Sequence, residues 1–109
     1  MRVFVLLFLI GTLTVSSQKI YSSDYKSQSD INVYVVDYKS QADLFVYKVD
    51  YKSQAKGNSG LWFFVDYKSQ AGVKVFFVDY KSQADLKIFF VDYKSQAGWN
   101  KKEQKHLLY

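Results

Sequence analysis

The stretch Leu86-Lys87-Ile88-Phe89-Phe90-Val91-Asp92-Tyr93-Lys94-Ser95-Gln96-Ala97 decides the fold, because it is one copy of a unit repeated along nearly the whole chain. Its Asp-Tyr pair recurs at Asp24, Asp37, Asp50, Asp66, Asp79 and Asp92, with a spacing of 13 residues except for one gap of 16 between Asp50 and Asp66. A period this short marks an architecture in which each copy is one structural element that cannot bury its own apolar side. Aligning the copies then shows what each position tolerates. The Phe89 column is aromatic throughout (Tyr21, Tyr34, Tyr47, Phe63, Phe76, Phe89), the Val91 column is Val except for Ser23, and the Tyr93 column is always Tyr. These columns alternate, so an extended chain places them on one face of a sheet. The expectation is that this face forms the core.

On the opposite face the Ile88 column stays apolar (Ile20, Val33, Val46, Trp62, Val75, Ile88), whereas the Phe90 column runs Ser22, Val35, Lys48, Phe64, Phe77, Phe90. Ser and Lys imply a wet position in the first half of the chain, and the phenylalanines imply an apolar patch in the second half that needs a partner. β-Branched and aromatic residues dominate, proline is absent, and no helical periodicity appears.

Between strands the segment Ser-Gln-Ala-Asp ends in Asp30, Asp43, Gly72, Asp85 and Gly98, types that enter turn conformations readily. Strands of nine residues joined by four-residue hairpin loops account for the period, and Lys56-Gly57-Asn58-Ser59-Gly60 is then an enlarged loop before Leu61. The expected fold is therefore all-β, an antiparallel meander of about six or seven strands, curled or barrel-like. A parallel β-solenoid is the alternative. Thirteen residues close only a narrow coil, and stacking would set like charges opposite one another at about 4.8 Å. The tail ending in His106-Leu107-Leu108-Tyr109 is expected to form a seventh, edge-sealing strand.

Residues 1–17 read as a signal peptide: Arg2, then the apolar run Val3 to Leu13, then Val15-Ser16-Ser17 before the expected cleavage. The run is shorter than the roughly 20 residues of a membrane span, so no transmembrane span is expected after cleavage. Residues 18–109 are then a single β-repeat domain of 92 residues with 14 lysines against 10 acidic residues. The chain has no cysteine, so packing or assembly must stabilise it without disulfides.

The tandem Y-K-S-Q-A-D units after a signal peptide, the widened G-N-S-G-L-W-F-F segment and the ending A-G-W-N-K-K-E-Q-K-H-L-L-Y carry a family likeness over the whole mature chain. The chain resembles a family of small secreted bacterial proteins made of tandem 13-residue repeats, a domain of unknown function. That resemblance implies a bacterial setting, secreted or in the envelope and periplasm or at the cell surface. It implies no activity, catalytic residue or ligand.

Catalysis brings unlike groups together once, while nearly every polar residue here occurs six times in equivalent surroundings. The lone His106 lies in a lysine-rich tail, so no nucleophile-base device and no catalytic residue is expected. Aspartates two strands apart in a meander stand about 9.6 Å from one another, too far to share a cation, so neither metal nor cofactor is expected; Asp92 and its equivalents should instead pair with lysines of the Lys94 column. Lysines matched by aspartates argue against nucleic acid as a partner. Two readings remain. One is a non-catalytic structural or interaction module engaging a protein, a cell-envelope polymer or further copies of itself. The other is a binder of a small apolar or carbohydrate ligand through Trp62, Phe64, Phe77 and Phe90.

Overall fold

The computed structural model describes residues 18–108; the expected signal segment, residues 1–17, lies outside the described residues. Seven strands follow in chain order: β1 (Lys19–Ser22), β2 (Ile31–Val35), β3 (Leu44–Lys48), β4 (Leu61–Phe64), β5 (Val73–Phe77), β6 (Leu86–Phe90) and β7 (Gly98–Trp99). They are ordered β4-β1-β5-β2-β6-β3-β7, and a further pairing of β3 with β4 closes the first six into a barrel.

Every pairing among these six is parallel. The antiparallel meander expected from the repeats is thereby overturned, and so are its hairpin loops. Repeats adjacent in sequence are not neighbours in the barrel, apart from β3 and β4. The chain lays down β1, β2 and β3 with one slot left between each pair, then makes a second lap in which β5 enters between β1 and β2 and β6 between β2 and β3. The 16-residue gap marks the change of lap, where the chain advances by one slot instead of two.

Parallel strands ordinarily require a long crossover, yet here residues 23–30 suffice between β1 and β2. The register explains this. Val75 of β5 pairs with Ser22 at the end of β1 on one side and with Ile31 at the start of β2 on the other. Likewise Ile88 lies between Val35 and Leu44, Ile20 between Phe64 and Val73, and Val33 between Phe77 and Leu86. One strand thus ends where the next begins, two strand spacings or about 9.6 Å to the side. The chain steps sideways over the intervening strand without travelling back.

Each step round the barrel displaces equivalent repeat positions by two residues, so six steps accumulate a stagger of twelve. With strands about 4.8 Å apart and about 3.3 Å per residue, that stagger tilts them by roughly 55° from the barrel axis, more than in most barrels. At this tilt, equivalent positions of different repeats come to the same height, and each alternate column becomes a ring of six side chains. Ile20, Val75, Val33, Ile88, Val46 and Trp62 form the central ring and are all fully buried. Below it lie Gln18, Val73, Ile31, Leu86, Leu44 and Gly60, and above it Ser22, Phe77, Val35, Phe90, Lys48 and Phe64.

The face expected to be the core is therefore the outside. Tyr21, Tyr34, Tyr47, Phe63, Phe76 and Phe89 are half-buried on the outer surface, and the Tyr93 column is exposed. The six barrel strands are four or five residues long instead of nine because Val91 and its equivalents already belong to the connections.

Four connections are fastened at both ends to the strand they cross. Ser23 N–H donates to the Val75 carbonyl and Asp30 N–H to that of Lys74; Val36 and Asp43 hold β6 through Ile88 and Lys87 in the same way. In the second lap Val65 and Gly72 hold β1 through Ile20 and Lys19, and Val78 and Asp85 hold β2 through Val33 and Asn32. Connections of the first lap therefore pass outside strands of the second lap, and the reverse.

The tail does not form the edge strand expected of its final residues. The short antiparallel β7 pairs with the start of β3, and Lys102–Leu108 is a 3₁₀ helix whose Leu107 and Leu108 pack on the core with Trp99. The widened segment receives this tail. Trp99 Nε1 donates to the Asn58 carbonyl at 2.8 Å, and Asn58 Nδ2 donates to the Lys105 carbonyl at 3.0 Å. Gly60 marks the tightest approach: its φ is +86°, and a Cβ there would fall on the Phe45 carbonyl oxygen. Gly57 has φ +70° but open space around it. Gly60→Ala is expected to destabilise the fold by about 3 kcal/mol or more, and Gly57→Ala by only about 1 kcal/mol, as read from urea unfolding midpoints.

Candidate functional site

The repeat unit V-D-Y-K-S-Q-A divides sharply by burial. At one end the Val column is buried at Val36, Val49, Val78 and Val91, and at the other Ala42 and Ala55 are fully buried, with the remaining members of the Ala column half-buried. Between these pegs every Asp, Tyr, Lys, Ser and Gln is exposed. Lys-Ser-Gln forms a single 3₁₀ turn in all six copies, closed by the Gln N–H donating to the Tyr carbonyl and by the next N–H donating to the Lys carbonyl. The Tyr before each turn is extended, with φ between −125° and −131° in the second to sixth copies as well as the first, so its ring projects from the same backbone geometry each time. Tyr25, Tyr38, Tyr51, Tyr67, Tyr80 and Tyr93 are 64–68% exposed. Because each connection lies outside the barrel over a different part of its wall, the six rings are distributed around the circumference.

The four aromatics singled out from the sequence separate into two environments. Trp62 is fully buried in the central ring, with its ring edge-on to Phe64 at 6.0 Å. Phe64, Phe77 and Phe90 come together at the upper mouth, half-buried against the core. There they alternate with Ser22, Val35 and Lys48, one residue from each lap in turn. What reads as a polar first half and an apolar second half of the chain is an alternation around one rim. Lys48 Nζ lies 5.3 Å from the centre of the Phe64 ring and 4.7 Å from that of Phe90, covering both with its charge.

A different aspartate column from the one expected carries the ion pairs. Asp30, Asp43 and Asp85 stand at strand starts, where each carboxylate accepts the N–H of the neighbouring strand's Lys74, Lys87 or Asn32 at 2.9 Å. In the same residue the backbone N–H donates to that partner's carbonyl. Asp43, only 3% exposed, also lies within 4 Å of the Lys87 and Lys101 ammonium groups. These carboxylates fasten strands; among the described residues no three His, Cys, Asp or Glu side chains converge as a metal site would require. A groove of about 260 Å³ on the outer wall, lined by Lys19, Lys52, Phe63, Val65, Ser69 and Gln70, lies between two of the turns. His106 is exposed in the terminal 3₁₀ helix.

A chain that circles a barrel twice, each lap passing outside the strands of the other, follows the path of a torus knot. A family model described as the 7(1) septoil knot domain matches residues 17–100. The chain belongs to that family. The septoil knot match spans all six repeats and β7, and the repeat resemblance seen in the sequence is to this extent explained. No curated protein and no solved structure matches the chain.

The exposed tyrosines were missed because an invariant aromatic residue two positions beyond an apolar one reads as core. The signal that could have found them is the invariance of the whole polar unit, since a buried column has no reason to hold its solvent-facing neighbours constant. Loss of the buried clamp is expected to exceed loss of its exposed equivalent: Asp43→Ala should cost about 2–3 kcal/mol and Asp30→Ala about 1 kcal/mol in chemical denaturation, because only the Asp43 carboxylate is itself buried and meets two ammonium groups.

Proposed function

We propose that this septoil knot chain is a secreted or envelope-associated, non-catalytic interaction module that presents six equivalent Asp-Tyr-Lys-Ser-Gln turns to a protein or an envelope polymer. One observation carries this reading: six tyrosines, each about two-thirds exposed, stand in the same local geometry while the packing uses only the Val and Ala pegs beside them. Solvent-facing positions are free to vary as far as folding is concerned, since substitutions there usually change stability by less than about 0.5 kcal/mol. Repetition of the exposed unit therefore points to a task performed at the surface. The polar residues of the turns recur six times in equivalent surroundings, unlike the single set of dissimilar groups that acid-base or nucleophilic catalysis employs. Export follows from the Arg2 and Val3 to Leu13 pattern.

Replacing all six tyrosines of these turns with Ser is expected to leave the circular dichroism spectrum and the thermal midpoint nearly unchanged while lowering retention on isolated bacterial envelopes at least about tenfold. Equal retention of the two proteins would overturn the reading. Expression in a secreting bacterial host is expected to yield a product whose intact mass begins at Gln18.

A further inference from the structure

We infer that the partner of the six turns is a neutral, hydroxyl-rich polysaccharide, bound by stacking of sugar rings on the exposed tyrosines; this rests on the interaction-module reading and names its ligand. Four features select that class. The first is the residue set. A phenol ring offers an apolar face to the C–H side of a sugar, and Ser and Gln in the same turn offer a hydroxyl and an amide to its hydroxyl groups. The second is charge. Each turn carries one exposed Asp and one exposed Lys and is neutral, so the excess of lysines in residues 18–109, 14 against 10 acidic residues, lies outside the turns and the turns themselves do not select an anionic polymer.

The third is what the surface lacks. Among the described residues the exposed large hydrophobic side chains are these six tyrosines and Val35, with no aliphatic cluster to serve as the dry centre of a protein interface. The fourth is arrangement. The tyrosines encircle the barrel because their connections cross β5, β6, β1, β2 and β3 in turn, with one at the lap change. One globular partner docking on one side would reach only some of them. A long chain of identical sugars, or a mesh of such chains, offers each turn the same group wherever it faces. Single tyrosine-sugar contacts are weak, and linking several raises apparent affinity by about 100-fold or more without any new contact.

Binding is measured with the purified mature chain on insoluble cellulose, chitin and β-1,3-glucan, with free glucose and N-acetylglucosamine as competitors and alginate as the anionic control. At least one neutral polymer is expected to retain the chain with little dependence on salt, and the monosaccharides are expected to compete only at concentrations at least about 100-fold above the polymer's sugar concentration for half-binding. Single Tyr→Ser variants should lose little and the six-fold variant about 100-fold or more, with its circular dichroism spectrum showing that the fold is kept. Failure of all three neutral polymers to retain the chain would overturn the proposal. So would retention on alginate alone that disappears at high salt, or neutral-polymer binding that survives loss of all six tyrosines. If tyrosine-dependent envelope retention is abolished by protease and spared by glycosidases, the module reading stands and the polysaccharide falls to a protein partner.

Discussion

The two-residue displacement between neighbouring parallel strands is the constraint on which the rest of the structure depends. It is enforced from both ends of the four connections that join β1 to β2, β2 to β3, β4 to β5 and β5 to β6, where one N–H is given to a residue of the crossed strand and another to the residue before it, as with Ser23 on Val75 and Asp30 on Lys74. Had the strands been level, a parallel connection would have had to return along the full strand length and would have needed a dozen or more residues. The stagger removes that return path. It also sets the strand tilt, brings equivalent residues to one height and lets a 13-residue unit serve as both strand and crossover.

Knotted paths are rare because threading is slow and connections rarely cross. Here the crossing is built into the unit. A connection that steps over one strand leaves a slot, and a second lap of the same unit fills it. Two laps of three strands fill six slots only if the chain shifts phase once, and the extra three residues around Gly57-Asn58-Ser59-Gly60 make that shift. The same segment receives the tail through Asn58, so the lap change and the closure of the lower end are solved in one place. Tyr and Lys remain outside because the interior is already filled by three rings of strand residues, and the only parts of a connection that reach apolar surroundings are its two pegs.

Much of this was legible in the repeats. The period, the strand character, the unbroken apolar run of the Ile88 column and the anomaly at the fourth copy could all be read directly. The direction of the strands could not, since the local signals at Asp30 or Gly72 suit a hairpin and a 3₁₀ crossing equally well. The aromatic constancy of the Phe89 column favours it as the core, but those rings stand half-buried on the outer wall. The change from Ser22 and Lys48 to Phe77 and Phe90 in one column was visible too. Its meaning was hidden, because residues 42 or 55 positions apart in the chain become neighbours on the rim only through interleaving.

By itself the sequence determined that identical 13-residue β units must bury a shared apolar column, because alternation and composition are local properties of each copy. Which column faces inward, which way neighbours run and where the tyrosines point were decided only by the tertiary structure. Those choices depend on hydrogen bonds between strands of different laps, and no single repeat contains both partners.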